Sequence, residues 1–260
     1  FKEDVLTQKQ LLIHLDYAMD HVDADLPQFT RWVRDTQTEL AVIPIADRVY
    51  RAIKESSATE FAAALDIRTQ IGPAFDVIYK HGDERTVDHT QNVLSASVVA
   101  TPLTDDEAYL IDAILTKPGF KDYFIEQNKN AANLAMIDSW VLGLRDVMEY
   151  EESEKKALRQ DIRRLYVSDY INTWSRALRK LEINDFESIA HAVKILDTLT
   201  GAASPLQRLI NSVKDNTTIY AKAAVENDEI DKVLLSDPNR KAGKDIQKSF
   251  VRLTELTVST

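Results

Sequence analysis

The sequence predicts a mainly α-helical fold, a multi-helix bundle, on two main observations. Apolar residues recur at steps of three and four between residues 158 and 181, which places them on one stripe of a helix with 3.6 residues per turn. Residues that favour the first turn of a helix precede other apolar runs, as in Thr104-Asp-Asp-Glu107 and Ser204-Pro205. No internal repeat of roughly 30 to 45 residues is evident, so the pattern does not favour a solenoid.

Four helical segments are predicted at the start of the chain. Their starts are marked by a capping box at residues 7–10, by Pro27 in a first turn, by Pro44 where the third helix opens, and by Thr59 as an N-cap. The last of the four is short and ends at Leu65.

One region departs from the helical pattern. Turn residues at Gly72-Pro73 and His81-Gly82-Asp83 enclose alternating side chains, which favours a small β hairpin around residues 70–100. A boundary is predicted directly after it. Residues 1–103 would then form an N-terminal helical subdomain with this β element, and residues 104–260 a second helical subdomain.

The second subdomain begins with two predicted helical segments. The capping box at residues 104–107 starts a helix that stops near Thr116. A longer pattern runs from Phe120 to Glu149 and is interrupted near Asn128-Lys-Asn130.

The central helix of the fold is predicted to span at least Leu158–Leu178. Its stripe carries Tyr166, Tyr170 and Trp174, whose rings are expected to bury a large area. Asp169 lies beside two of these rings. A hydrogen bond or ion pair that fixes the helix to a neighbour is favoured over catalysis for this acid, because no base–nucleophile pair lies nearby.

Three further helices complete the predicted fold. Asn184-Asp185 is expected to cap the first, and Thr200-Gly201 to end it. Its inward-facing residues are predicted to be Phe186, Ile189, Ala190, Val193 and Leu196. Ser204-Pro205 marks the next helix start, and Ile246–Leu256 a final helix or a helix that runs into a strand.

Composition excludes several functional classes. The chain has 260 residues and a formal net charge of −10, which argues against nucleic acid as a partner. It contains no cysteine, so disulfides, zinc–thiolate sites and cysteine nucleophiles are excluded. The six glycines are too far apart for a phosphate-binding loop. The sequence therefore predicts no metal, nucleotide or covalent cofactor, and no enzymatic activity.

The central stripe resembles the periplasmic signature of the IcmF/TssM family, through Leu165-Tyr166, Asp169-Tyr170 and Trp174. Flanking motifs are similar to the family's in the same order, and the resemblance covers roughly residues 38–219: Leu40 with Pro44 and Arg48-Val49-Tyr50, Thr116-x-x-Gly119-Phe120, Trp140-Val141-Leu142-Gly143, and Gly201-Ala-Ala-Ser204-Pro205-Leu206. From this resemblance we expect seven signature residues either to pack in the core or to contact a partner protein: Trp140, Tyr166, Asp169, Tyr170, Trp174, Ser204 and Pro205.

The resemblance implies a structural role in the membrane complex of a type VI secretion system. Members of this family are large inner-membrane proteins whose C-terminal part crosses the periplasm. The implied partners are other copies of the chain, the outer-membrane lipoprotein TssJ and the inner-membrane subunit TssL. In the family, TssJ contacts mainly a β-sandwich-like domain that follows the helical part. The resemblance also predicts that these residues belong to a longer, membrane-anchored protein.

Two other functions remain open from the sequence alone. A helical adaptor that binds peptides in an apolar groove is the first alternative. A cell-wall hydrolase is less favoured, because abundant acids make any carboxylate pair expected by chance.

Overall fold

The computed structural model describes residue 38 and residues 42–60, 64–71, 109–141, 150–181, 183, 185–201, 204–220 and 237–257. Most of these residues lie in helices, which confirms the predicted mainly α-helical fold. The predicted helices before residue 38, the predicted hairpin around residues 70–100 and the predicted boundary at residue 103 lie outside the described residues.

The α-helices of the described residues are α1 (Ile45–Glu60), α2 (Ile67–Ile71), α3 (Ile125–Lys129), α4 (Ala131–Val141), α5 (Glu152–Arg179), α6 (Ile189–Thr200), α7 (Pro205–Thr217) and α8 (Pro238–Thr254). A π-helical segment (Gly119–Phe124) precedes α3, and 3-10 turns occupy Ala113–Leu115 and Glu255–Thr257. The predicted central helix is confirmed as α5, and the predicted interruption near residues 128–130 is confirmed by the break between α3 and α4.

Two predicted helices are wrong where a short antiparallel ladder forms. Strand β1 (Leu65–Asp66) pairs with β2 (Leu110–Ile111), so that Leu65 faces Ile111. The helix predicted to run to Leu65 therefore does not include that residue, and the one predicted to stop near Thr116 does not run through Leu110–Ile111. Ile111 is fully buried, so long-range pairing and burial override the local helical signal.

Thr59 is not the N-cap that the sequence predicts. It lies inside the last turn of α1, and its hydroxyl donates to the Ser56 carbonyl oxygen at 2.7 Å. A threonine hydroxyl can bond back to the preceding turn as well as cap a following one, so the residue type alone does not distinguish the two positions.

The chain forms two compact units, each built from two stretches of sequence. The first comprises residues 1–62 and 121–166, and the second comprises residues 63–120 and 167–260. Helix α5 thus contributes its residues up to Tyr166 to the first unit and those from Val167 onward to the second.

The core of the first unit lies between α1, α4 and the first half of α5. Pro44 precedes α1, as predicted, and its carbonyl oxygen accepts the first helical hydrogen bonds. The buried side chains of this core are Val49, Ile53, Tyr123, Phe124, Ala131, Ala135, Leu158, Ile162 and Tyr166. At the start of α5, the Glu151 backbone N–H donates to the Glu154 carboxylate at 2.9 Å, which is half of a capping box.

The core of the second unit is centred on α7, which packs against α2, α6 and α8. Its fully or nearly fully buried side chains include Ile67, Ile114, Leu115, Phe120, Tyr170, Trp174, Val213, Ile246 and Phe250. Asp237 caps α8 by accepting from the Asn239 N–H at 2.9 Å, with Pro238 in the first turn. The predicted last helix is confirmed, but it begins at Pro238 and ends in a 3-10 turn instead of a strand.

Helix α6 exists, but its cap and its inward face are predicted wrongly. The N-cap is Ser188, whose hydroxyl accepts from the His191 N–H, and not Asn184-Asp185. The buried residues are Ile195 and Leu199. The residues predicted to face inward are exposed: Phe186, Ile189, Ala190, Val193 and Leu196. The face of α6 that packs against its unit is therefore the one that carries Ile195 and Leu199, opposite to the predicted face.

Candidate functional site

Tyr166 is the signature aromatic of the first unit. Its side chain is fully buried and stacks on Phe124, with ring centroids 3.7 Å apart and planes at 14°. Tyr50 from α1 meets it edge-on, with centroids 6.4 Å apart. Stacked and edge-to-face aromatic pairs stabilise beyond their buried area, so this cluster joins α1 and α5 to the π-helical segment.

Tyr170 and Trp174 are the signature aromatics of the second unit. Both are fully buried, and each donates its polar hydrogen to a backbone carbonyl. The Tyr170 hydroxyl donates to the Asn216 oxygen at 2.7 Å, and Trp174 Nε1 donates to the Leu115 oxygen at 2.8 Å. The central helix is therefore bonded to the end of α7 and to the 3-10 turn before the π-helical segment. The predicted burial of the Trp174 ring is confirmed.

Burial changes the acid–base behaviour of Tyr170. Exclusion of water from the phenol raises its pKa well above the ordinary value, and the neighbouring Trp174 acts weakly in the opposite direction. The hydroxyl keeps its proton at neutral pH and serves as a hydrogen-bond donor to Asn216. This geometry stabilises the fold; it does not prepare the tyrosine to act as a base.

Asp169 is half-buried on α5 and accepts a hydrogen bond from the Thr173 hydroxyl at 3.2 Å. The bond joins residues four apart on one helix. This bond lies within the helix, so the predicted contact of Asp169 with a neighbouring element stays a prediction.

Ser204 and Pro205 begin α7 in the predicted arrangement. The Ser204 hydroxyl accepts from the Gln207 N–H at 3.3 Å and donates to the Leu199 carbonyl oxygen, while Pro205 is buried at the first helical position. One serine therefore caps α7 and satisfies a carbonyl in the last turn of α6.

Trp140 lies in α4, but its side chain is outside the described residues, so its predicted role stays a prediction.

Gly119 explains one signature motif in physical terms. A β-carbon at this position would lie 2.1 Å from the Ala113 carbonyl oxygen and 2.6 Å from the Ile114 α-carbon, both backbone atoms. Only glycine permits this approach. The motif Thr116-x-x-Gly119-Phe120 thus holds the turn that offers the Leu115 oxygen to Trp174.

Sequence reasoning missed the two carbonyl acceptors, at Leu115 and Asn216. Asn216 lies 46 residues from its donor Tyr170, and Leu115 lies 59 residues from its donor Trp174. Any residue type supplies a backbone carbonyl, so the sequence gives no signal for such an acceptor. The sequence features nearest to these acceptors are Gly119, which follows Leu115, and the end of the predicted helix that contains Asn216.

The fold and these contacts define a helical scaffold whose signature residues anchor a central helix. A family model described as "IcmF-related: Intracellular multiplication and human macrophage-killing" matches residues 1–218. The chain therefore belongs to the IcmF-related family, which confirms the resemblance of its signature.

Among curated proteins, the chain is similar to "Type VI secretion system component TssM1" of Pseudomonas aeruginosa. The two are 26% identical over 219 residues, which is 82% of this chain and 17% of that protein. The chain thus spans less than a fifth of its relative's length. No solved structure matches it. Within the described ranges, no helix is both long and apolar enough to cross a membrane.

Proposed function

We propose that this chain is a non-enzymatic structural module in the periplasmic part of a type VI secretion membrane complex. In this role it links an inner-membrane anchor to the outer-membrane lipoprotein TssJ and takes part in subunit assembly, with other copies of itself and TssL as further partners. The family match and the similarity to a type VI secretion component support the proposal.

The observation that carries the structural role is how the buried aromatic side chains use their polar atoms. Tyr170 and Trp174 donate to backbone carbonyls of their own unit, and Tyr109 donates to the Lys180 carbonyl oxygen at 3.3 Å. These signature and core residues bind segments that are distant in sequence. This use of their polar atoms supports a role in the shape of the module.

The periplasmic location is tested by cysteine labelling, because these 260 residues contain no cysteine. Ser153→Cys lies on the exposed first turn of α5, whereas Thr173→Cys occupies a side chain that is 5% exposed. In the full-length protein, cleared of any other cysteine, a membrane-impermeant maleimide added to spheroplasts should label Ser153→Cys and leave Thr173→Cys unlabelled. Labelling of Ser153→Cys only after lysis would place the module in the cytoplasm.

The lipoprotein contact is tested by co-purification. The family resemblance assigns the main TssJ contact to a domain after the helical part, so the 260-residue chain should retain TssJ weakly or not at all. A longer chain that includes the following domain is the control. Equal retention of TssJ by the two would assign the interface to the helical module.

A second candidate function is a helical adaptor for a peptide or protein segment. The exposed side chains of Ile189, Val193 and Leu196 on α6 favour it, because clustered exposed apolar residues mark interaction sites. Ile189→Asp in the full-length protein separates the two candidates. If the variant still assembles the membrane complex but no longer binds one protein from outside that complex, the result would favour the adaptor.

A further inference from the structure

The segment that contains α6 exposes an unusual concentration of large hydrophobic side chains. The exposed fractions are 46% for Ile183, 54% for Phe186, 87% for Ile189, 52% for Val193 and 49% for Leu196. We call these five residues the apolar face. Helix α6 packs on its own unit through Ile195 and Leu199, so Ile189, Val193 and Leu196 form a second surface of the same helix, and Ile183 and Phe186 precede it. Exposed apolar clusters of this kind mark contacts with a partner.

Acidic residues border the apolar face. Glu187 and Asp197 are exposed, and residues 183–197 contain three acids and one lysine, a formal charge of −2. A partner that covers the apolar face therefore gains from positive charge at its edge.

Helix α8 carries a surface of the opposite charge in the same unit. Its exposed side opposes the buried Ala242, Ile246 and Phe250. Exposed basic residues occur there at Lys241, Lys248 and Arg252, and we call these three the basic face. Residues 238–254 contain five basic residues and one acid, a formal charge of +4, whereas the whole chain carries −10. The rest of the chain therefore carries −14.

The basic face also has apolar neighbours. Val251 is 37% exposed and Leu256, just beyond α8, is 63% exposed. Lysine and arginine side chains can lay their aliphatic stems on apolar surface while their charged ends reach acids. The surface of α8 thus offers the apolar groups and the positive charge that the apolar face and its acidic border require.

We propose that copies of this chain associate head to tail, with the apolar face of one copy against the basic face of the next. The proposal rests on the proposed structural function, since it names the surfaces through which copies assemble. Charge favours a second copy as the occupant: two chains of −10 repel each other overall, whereas α8, at +4, complements the acidic border of the apolar face. The two faces belong to different helices of one unit, so the contact is heterologous and can continue from copy to copy.

The experiment uses variants of the 260-residue chain that each damage one face. Val193→Asp introduces a charge into the apolar face, and Lys248→Glu with Arg252→Glu reverses the basic face. Sedimentation over a concentration series should show association of the wild type, and each variant should weaken it at least about tenfold. Association should also weaken when salt is raised from about 50 mM to about 500 mM, because exposed charges are screened.

Mixing the two variants tests the head-to-tail geometry. Each has lost a different face, so an equimolar mixture should regain a complex that contains one copy of each and does not grow further. Met136→Asp and Arg51→Glu are the matched controls, since they make similar changes at exposed positions of other helices and should associate as the wild type does. Unchanged circular dichroism and melting temperature would show that all variants remain folded.

Three outcomes would overturn the inference. They are a wild type that stays monomeric at about 200 μM, a basic-face variant that associates normally, or a mixture that forms no complex. The second would indicate a symmetric contact through α6 alone, and the first would leave the apolar face to a foreign partner. None of the three changes the Ser153→Cys labelling result, so the location proposed for the module stands or fails separately.

Discussion

The second half of α5 and the whole of α6 lie in the same unit and carry apolar stripes with the same helical spacing, yet only the first stripe is covered. Tyr170 and Trp174 are fully buried, whereas Ile189 is 87% exposed. The covered stripe has side chains that also bond to distant carbonyl groups, at Leu115 and Asn216. The comparison shows that periodicity identifies a stripe on a helix, and that long-range partners decide whether the stripe faces the core.

The largest expected effect is on the covered stripe. Trp174→Ala removes a fully buried indole and leaves the Leu115 carbonyl oxygen without its donor. We expect a loss of about 3–5 kcal/mol in the free energy of unfolding, measured by urea denaturation. Ser175→Ala, the half-buried next residue, is the control and should change stability by no more than about 0.5 kcal/mol. If Trp174→Ala had the same urea midpoint as the wild type, the Trp174 side chain would not contribute to the core, and α5 would not be the central helix of the fold.

A second prediction compares two glycines, one next to the turn whose carbonyl oxygen Trp174 binds and one at the end of α6. In Gly119→Ala the new β-carbon would meet backbone atoms of Ala113 and Ile114 at 2.1 and 2.6 Å, which only a backbone shift relieves. In Gly201→Ala, at the end of α6, the closest atom is the Asp197 oxygen at 2.9 Å. We expect a loss of about 3 kcal/mol for the first and about 1 kcal/mol for the second. Equal urea midpoints for the two variants would contradict the tight approach at Gly119.

The sequence predicts helices well here and their surroundings less well. The sequence predicts the aromatic stripe of α5, Pro44 before α1 and Ser204-Pro205 at the start of α7, because caps and periodicity are local properties. The same sequence pattern predicts that the exposed face of α6 points inward, since Ile189 and Val193 have the same periodicity as a core stripe. The local pattern misses the strand at Leu110–Ile111 for a related reason: its pairing partners lie 44 and 46 residues earlier in the chain.

Within the candidate site, the donors were predictable and the acceptors were not. Tyr170 and Trp174 stand out by residue type and spacing. Their partners are main-chain oxygens, which any residue supplies, so only the fold reveals them. The opposite charges of residues 183–197 and of α8 can be read from the sequence, but the exposure of these residues cannot.

A third prediction isolates the buried hydroxyl of the covered stripe. Tyr170→Phe removes the hydrogen bond to the Asn216 oxygen and should cost about 1 kcal/mol at neutral pH. The raised pKa of Tyr170 adds a pH dependence. Below about pH 10 the phenol is protonated in both states, so its contribution is fully present there. Above about pH 10 it ionises in the unfolded chain but not in the folded one, so stability falls as pH rises.

The other tyrosines are present in both the wild type and Tyr170→Phe. The difference in stability between these two proteins therefore isolates the contribution of the Tyr170 hydroxyl. Between about pH 10 and pH 11 the wild type should lose stability more steeply, by up to about 1.4 kcal/mol per pH unit. The difference between the two urea midpoints should therefore shrink over that range. Parallel pH profiles would show that the Tyr170 hydroxyl is accessible to water.

The smallest expected effect lies on the uncovered stripe, and it tests the comparison within one helix. Ile189 is 87% exposed and Ile195 is 2% exposed, so the same substitution at each position separates the two faces of α6. Ile195→Ala should cost about 2–5 kcal/mol, because a buried side chain leaves a cavity. Ile189→Ala should change stability by no more than about 0.5 kcal/mol, since water already surrounds that side chain and alanine has the better helix propensity. Urea denaturation of the two variants measures both values. The reverse order would place Ile189 in the core, as its spacing alone suggests, and would leave α6 no apolar face to offer a partner.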